Sequence, residues 1–201
     1  MHAPAPDACG HHAPQTPQTP PATAAAGPRD AAPRLQGLPP VIDGRARLVV
    51  LGSFPGPASL RAGCYYGHPR NHFWPLLSAL WDTDLTTLDY PQRLQALARR
   101  RVGLWDAYAS CERQGALDQS IRAARRNDFA RLLALAPALR AVAHNGGESA
   151  RSAPALQALG LRTWALPSTS PANAGWSFER KLQAWREAFA AAGVLARRGQ
   201  R

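Results

Sequence analysis

The chain is predicted to be an α/β protein: a three-layer sandwich with a central, mostly parallel four-stranded sheet and helices on both faces. Three observations predict this. Four short apolar runs alternate with segments of helical length, the order that builds a parallel sheet through crossover connections. The first run, Arg47-Leu48-Val49-Val50-Leu51-Gly52, is continuously apolar, as a strand covered on both faces requires. The glycine- and proline-rich segments fall just after the runs, where such folds place their ligand-binding loops.

Residues 1–40 come first and hold ten of the nineteen prolines and ten alanines. That composition buries too little apolar surface to offset the entropy of ordering it, so it is expected to be a disordered tail. Within it His2 and the His11-His12 pair read as solvated residues rather than metal ligands. A globular domain is expected over 41–193 and a short basic tail over 194–201. After the strand at 47–52 comes a Gly/Pro loop and a helix over Asn71–Trp81, then a second helix over Pro91–Arg101 with a polar arginine face. Gly103–Tyr108 is the next strand, followed by a long loop to Arg126. Asn127-Asp128 opens a helix over Phe129–Leu135, Leu139–His144 is a strand, and Glu148–Leu159 a helix stopped by Gly160. Thr163–Leu166 is the last strand. Ser177 caps a final amphipathic helix reaching Ala192, with Gly193 ending it.

Charge narrows the partner. Arg29 and Arg34 cancel Asp7 and Asp30 in the tail, so the whole net charge of +11 falls on residues 41–201. A body that basic suits a polyanion such as nucleic acid, although solubility or an arginine-rich composition gives the same number. The three cysteines, Cys9, Cys64 and Cys111, form no CxxC pair, which argues against structural zinc or an iron–sulfur cluster. No secretory-type leader and no apolar span of about 20 residues is visible, so a soluble, cytoplasmic protein without a membrane partner is expected.

The candidate chemistry lies in the loops. Gly52-Ser53-Phe54-Pro55-Gly56 is neither GxGxxG nor a phosphate-binding GxxxxGK[ST], and its glycines around a proline allow a flat ligand to approach. Tyr65, Tyr66, Phe73 and Trp74 offer stacking surfaces, with core packing the plain alternative, favoured for Phe73 and Trp74. Asn71 stands where Pro75 requires a helix to begin, so it serves as an N-cap, as a ligand contact, or both. His68 and His72 have i, i+4 spacing, but Pro69 puts His68 outside the helix and no HExxH glutamate follows, so no metal is expected. Ser168-Thr169-Ser170-Pro171-Ala172-Asn173 is polar and stiff, fit to meet phosphates or simply to join strand and helix.

In this order and spacing, these segments resemble the uracil-DNA glycosylase superfamily, in particular its hypoxanthine-DNA glycosylase branch, over about Val49 to Phe189. The resemblance rests on Gly52–Gly56, Tyr65-Tyr66-Gly67-His68-Pro69-Arg70-Asn71 with Phe73-Trp74, and Gly103-Leu104-Trp105-Asp106. It continues through Asn127-Asp128-Phe129, His144-Asn145-Gly146 and Leu166–Asn173. The wider superfamily carries a water-positioning Asp or Asn at the third position of the first loop; here Phe54 occupies it. The late loop usually begins with a histidine that stabilises the leaving uracil; here it is Ser168. The first departure is characteristic of the hypoxanthine branch, in which the resemblance assigns catalysis to the Asn of HPxN, here Asn71, and the second speaks against efficient uracil excision. It further implies base contacts from Gly52, Ser53, Phe54, Pro55, Gly56, Tyr65, Tyr66, His68 and Asn145. DNA contacts would come from Arg70 and from Ser168, Thr169, Ser170, Pro171, Ala172 and Asn173.

The implied function is a monofunctional, cofactor-free and monomeric DNA glycosylase that flips out a deaminated base and hydrolyses its glycosidic bond. Phe54 with Tyr65 or Tyr66 would stack on that base. Rival readings are the same fold acting on uracil or xanthine, a damaged-DNA-binding module without catalysis, and a nucleotide hydrolase. The last finds no acidic Mg²⁺ cluster in the sequence.

Overall fold

The computed structural model describes residues 34–195. Its main sheet has four parallel strands in the order β3-β2-β6-β7. These are β2 (Leu48–Gly52), β3 (Val102–Asp106), β6 (Ala141–Asn145) and β7 (Arg162–Leu166). Strands β2, β3 and β6 are buried end to end, which is why their sequences do not alternate.

Successive side chains still point to opposite faces, and the core divides accordingly. Leu48 and Val50 enter one apolar cluster with Leu76, Leu77 and Trp81 of α2 (Phe73–Trp81), Leu97 of α3 (Tyr90–Arg99) and Trp185 and Phe189 of α7 (Phe178–Ala191). Val49 and Leu51 enter the other with Leu132 of α4 (Ala130–Leu135) and Leu156 of α6 (Ala153–Ala158). Helices therefore cover both faces, and the predicted three-layer α/β sandwich is what the chain forms. The chain leaves β2 across the first face and β6 across the second, which opens a crevice at their carboxyl ends.

Several expectations need correction. The segment expected to be a loop up to Arg126 is β4 (Tyr108–Arg113) and β5 (Ile121–Arg126), which with β1 (Arg34–Gln36) form an antiparallel sheet in the order β1-β4-β5. Its sequence hid it: β5 is almost wholly exposed, and register shifts in the β4–β5 pair break the two-residue period. The strand expected over Gly103–Tyr108 accordingly ends at Asp106, and Tyr108 starts the next one. A short helix, α1 (Pro57–Ala62), lies inside the first loop. The helix expected over 148–159 is two, α5 (Gly147–Ala150) and α6, with Pro154 at the start of the second, where a missing N–H is tolerated.

The expected domain limits of 41 and 193 also shift. Gly37 N–H donates to Ala109 O at 2.8 Å, Val41 and Leu104 exchange backbone hydrogen bonds, and Val194 is buried in the first cluster. Composition is blind to this because strand pairing uses the backbone, which every residue carries. The rest of the expected N-terminal tail, His2, His11 and His12 included, and of the C-terminal tail lie outside the described residues. Among the described residues no helix is long and apolar enough to cross a membrane.

Candidate active site

A cleft of about 560 Å³ opens at the carboxyl ends of β2, β3 and β6. Lining it are Gly52–Gly56, Tyr65, Tyr66, His68, Arg70, Asn71, Asn145 and Ser168–Asn173, so the fold gathers around one space every residue to which the resemblance gave a role. Position on the lining does not assign roles; the surroundings of each side chain decide what it can do.

The first loop is packed against β3 with no room to spare. A Cβ on Gly52 would run into Asp106 Oδ1, so any other residue there would displace that buried carboxylate. Phe54 is 5% exposed and packs into the second apolar cluster, which leaves little of its ring for a ligand. Tyr65 is also buried, with its hydroxyl 3.3 Å from the carbonyls of Leu38 and Pro39. Of the three rings expected to stack on a base, Tyr66 is the one built for it. It is half-buried, stacked on Phe73 at 3.7 Å between centroids, and its hydroxyl has no partner among the described residues. Its backbone is left-handed, at φ 56°, a strained conformation for a non-glycine residue and one that clusters at functional sites. Burial raises the pKa of both tyrosines, so both hydroxyls stay protonated and able to donate.

Asn71 lines the cleft and lies one residue before the N-cap of α2, which is His72 rather than the expected Asn71. Its Oδ1 accepts from Phe73 N–H at 2.9 Å, at the mouth of α2, which orients the amide. Its Nδ2 makes no hydrogen bond among the described residues, and one lone pair of Oδ1 remains. Nearby, His68 Nδ1 accepts from Arg70 N–H at 3.1 Å, and no cluster of His, Cys, Asp or Glu suited to a metal occurs among the described residues.

Asn145 holds the late loop. Its Oδ1 accepts from Thr169 N–H at 2.8 Å and its Nδ2 donates to Thr169 Oγ1 at 2.9 Å, both buried. One Nδ2 hydrogen is left for a base, so the amide is chiefly a clamp. The loop is fastened elsewhere too: His72 N–H donates to Thr169 O at 3.0 Å, Trp185 Nε1 to Pro167 O at 3.1 Å, and Lys181 Nζ to Asn173 O at 3.0 Å. Gly146 takes φ 105° where it meets Ser168, whose Cβ would lie 3.1 Å from an added methyl. The stiffness expected from the loop's prolines therefore comes as much from these anchors.

Three charged residues of the cleft were given no role in the sequence reading. Asp106, at the end of β3, is 4% exposed and lines the cleft, and its Oδ2 has no partner among the described residues. Burial pushes its pKa up to about 7, with the Asp118 carboxylate raising it further and the Arg113 guanidinium lowering it. Arg113 is buried and reaches back over the first loop, its Nη1 3.5 Å from Phe54 O and 3.4 Å from Pro55 O, while Nη2 donates to Ala116 O. Asp118 Oδ1 accepts from Ser53 Oγ at 2.7 Å. Asp106 was within reach of the strand-end rule, but a strand drawn through to Tyr108 concealed that it is the terminal residue. Arg113 and Asp118 lie in the unrecognised hairpin.

Residues 39–190 match the model of the uracil DNA glycosylase superfamily. The chain belongs to the uracil DNA glycosylase superfamily. It is 42% identical over 154 residues to a hypoxanthine DNA glycosylase of Methanosarcina barkeri, a match covering 77% of this chain and 97% of that one. A second hypoxanthine DNA glycosylase, from Methanosarcina acetivorans, is 35% identical over the same shares. The solution NMR structure of a candidate uracil DNA glycosylase from Methanosarcina acetivorans superposes with a TM-score of 0.72 at 34% identity, covering 80% of this chain and 99% of that one. With these relatives the chain shares the hypoxanthine branch of the superfamily and its α/β fold. Its substrate polymer is DNA.

Proposed function

We propose that this chain is a monofunctional DNA glycosylase that hydrolyses the glycosidic bond of deaminated nucleotides, with hypoxanthine in deoxyinosine the preferred base. The observation that carries this reading is the meeting of Asn71, Tyr66 and Asp106 in one cleft at the strand ends of a strongly basic body. The names of its relatives support the choice of base.

The bond to C1′ is out of reach in stacked DNA, so the nucleotide must turn out into the cleft. Tyr66, backed by Phe73, stacks on the base. The Asn71 amide, oriented by the hydrogen bond it accepts from Phe73 N–H, hydrogen-bonds the base or the attacking water. Water adds to C1′, and the bond to N9 breaks with its electron pair on the purine. Asp106, close to half-protonated at neutral pH, supplies a proton to the departing base, and its carboxylate recovers the one released by water. Hypoxanthine offers ring nitrogens and a carbonyl to such a donor. The superfamily's usual means of stabilising uracil is missing at Ser168, which disfavours that substrate. The sole lysine, Lys181, holds Asn173 O and does not line the cleft, so no Schiff-base step is included. The reading includes a monomer acting in the cytoplasm without cofactor.

The test is a panel of oligonucleotides carrying hypoxanthine, uracil or xanthine, treated with the protein and then with or without alkali. Alkali-dependent cleavage, fastest at hypoxanthine, is expected. Lesion binding with no abasic product would make the chain a recognition module, and a dominant uracil signal would reassign the base.

A further inference from the structure

A nucleotide turned out of a duplex leaves a hole in the stack, and proteins that hold DNA in such states commonly insert an apolar side chain there. The resemblance gives DNA contact to the late loop, the first place to look for such a side chain. Yet Ser168–Asn173 contains only hydroxyl residues, a proline, an alanine and an asparagine, none of them a large apolar wedge. Among the described residues only two large apolar side chains are exposed, Leu117 at 54% and Trp176 at 38%. Trp176 lies outside the cleft lining and its ring carries the Arg180 guanidinium at 4.5 Å. Leu117 lines the cleft.

We infer that the turn between β4 and β5 is the duplex-invading element, with Leu117 as the wedge that fills the space of the extruded nucleotide. This rests on the glycosylase reading above. The hairpin that carries the turn follows β3, at one edge of the main sheet, and the late loop follows β7 at the other, and both reach the lining of the cleft. An isolated hairpin tip would be too loose to hold a base step open, but this one is fastened. Arg113 holds Ala116 O, Ser120 Oγ donates to Leu117 O at 2.7 Å, and Asp118 takes the Ser53 hydroxyl at 2.7 Å. The strand behind it presents Arg122, Arg125 and Arg126, all exposed, which complement the phosphates flanking an opened step. Among the described residues nothing covers Leu117; an unstacked duplex would.

A single strand has no stack to invade, and that separates the wedge from the chemistry. Single-turnover excision of hypoxanthine is measured on duplex and on single-stranded oligonucleotides for the wild type, Leu117→Ala and Leu117→Met. The expected result is a fall of about tenfold or more on duplex for Leu117→Ala, near wild-type rates on the single strand, and recovery on duplex with Leu117→Met. Wild-type rates on duplex for Leu117→Ala overturn the inference, as does an equal loss on both substrates. Wild-type protein inactive on both strands sinks the glycosylase reading instead.

Discussion

Replacing Asn71 with alanine removes two separate things: the cap-like acceptor for Phe73 N–H, at 2.9 Å just ahead of the His72 N-cap of α2, and the amide in the cleft. Their magnitudes differ enough to be told apart. A lost cap costs about 1 kcal/mol, which in a chain of this size lowers the melting temperature by roughly 2–4 °C and leaves the rate untouched. A lost positioned hydrogen-bonding group costs about 10²-fold or more in excision, near 2.7 kcal/mol of barrier. Asn71→Asp divides the two. Its carboxylate still accepts from Phe73 N–H, so melting is kept, while the Nδ2 donor is gone. If Asn71 works by donating to the base, both variants lose excision; if it holds water through Oδ1, aspartate keeps most of it. Single-turnover excision on a hypoxanthine duplex, run beside thermal melting, gives both numbers. Asn71→Ala that melts lower yet excises at the wild-type rate refutes the catalytic role and leaves only the cap.

Asp106 predicts a pH limb. Its folded pKa is raised to about 7, so the proton donor is lost as pH rises through that value, and excision should decline above it. The sign for stability is the same: the neutral carboxyl's contribution is full below the ordinary carboxylate range and is lost as pH rises toward about 7. Asp106→Asn can donate a hydrogen bond but cannot give up a proton, so excision should fall and both profiles should lose the limb; an unchanged limb in that variant would assign it to another group. Replacing Arg122, Arg125 and Arg126 with alanine should reduce the slope of log affinity against log salt by about one unit for each phosphate the strand no longer neutralises. An unchanged slope in DNA-binding titrations would turn that strand away from DNA. A chain beginning at Arg34 should melt and excise like the full length, while one beginning at Leu38 loses the β1–β4 pairing and should melt lower. Equal melting of the two would mean that β1 adds nothing to the fold.

The sequence by itself determined the parallel sheet and the neighbourhood of the site. Buried strands such as Leu48–Gly52 must be continuously apolar, and ligands gather where such strands end, so Gly52–Gly56, Asn71 and Ser168–Asn173 were legible as one cleft before any coordinates. The start of α7 was legible too, because Ser177 accepts from Arg180 N–H as a local signal can announce. What tertiary structure alone decided is which side chains remain free once the chain is packed. Phe54 reads as a stacking surface and is spent on the core. Asn145 reads as a base contact and is largely spent on Thr169. Asp106 reads as the interior of a strand running to Tyr108 and is left buried at the strand's end, lining the cleft with one oxygen unpaired among the described residues. The second sheet escaped for a related reason. Backbone hydrogen bonds join β1 to β4 across dozens of residues and β4 to β5 through a register shift, and β5 buries almost nothing, so no side-chain period marks it. Local sequence records what each side chain prefers; only the folded contacts decide which preference is satisfied and which group is left over to meet DNA.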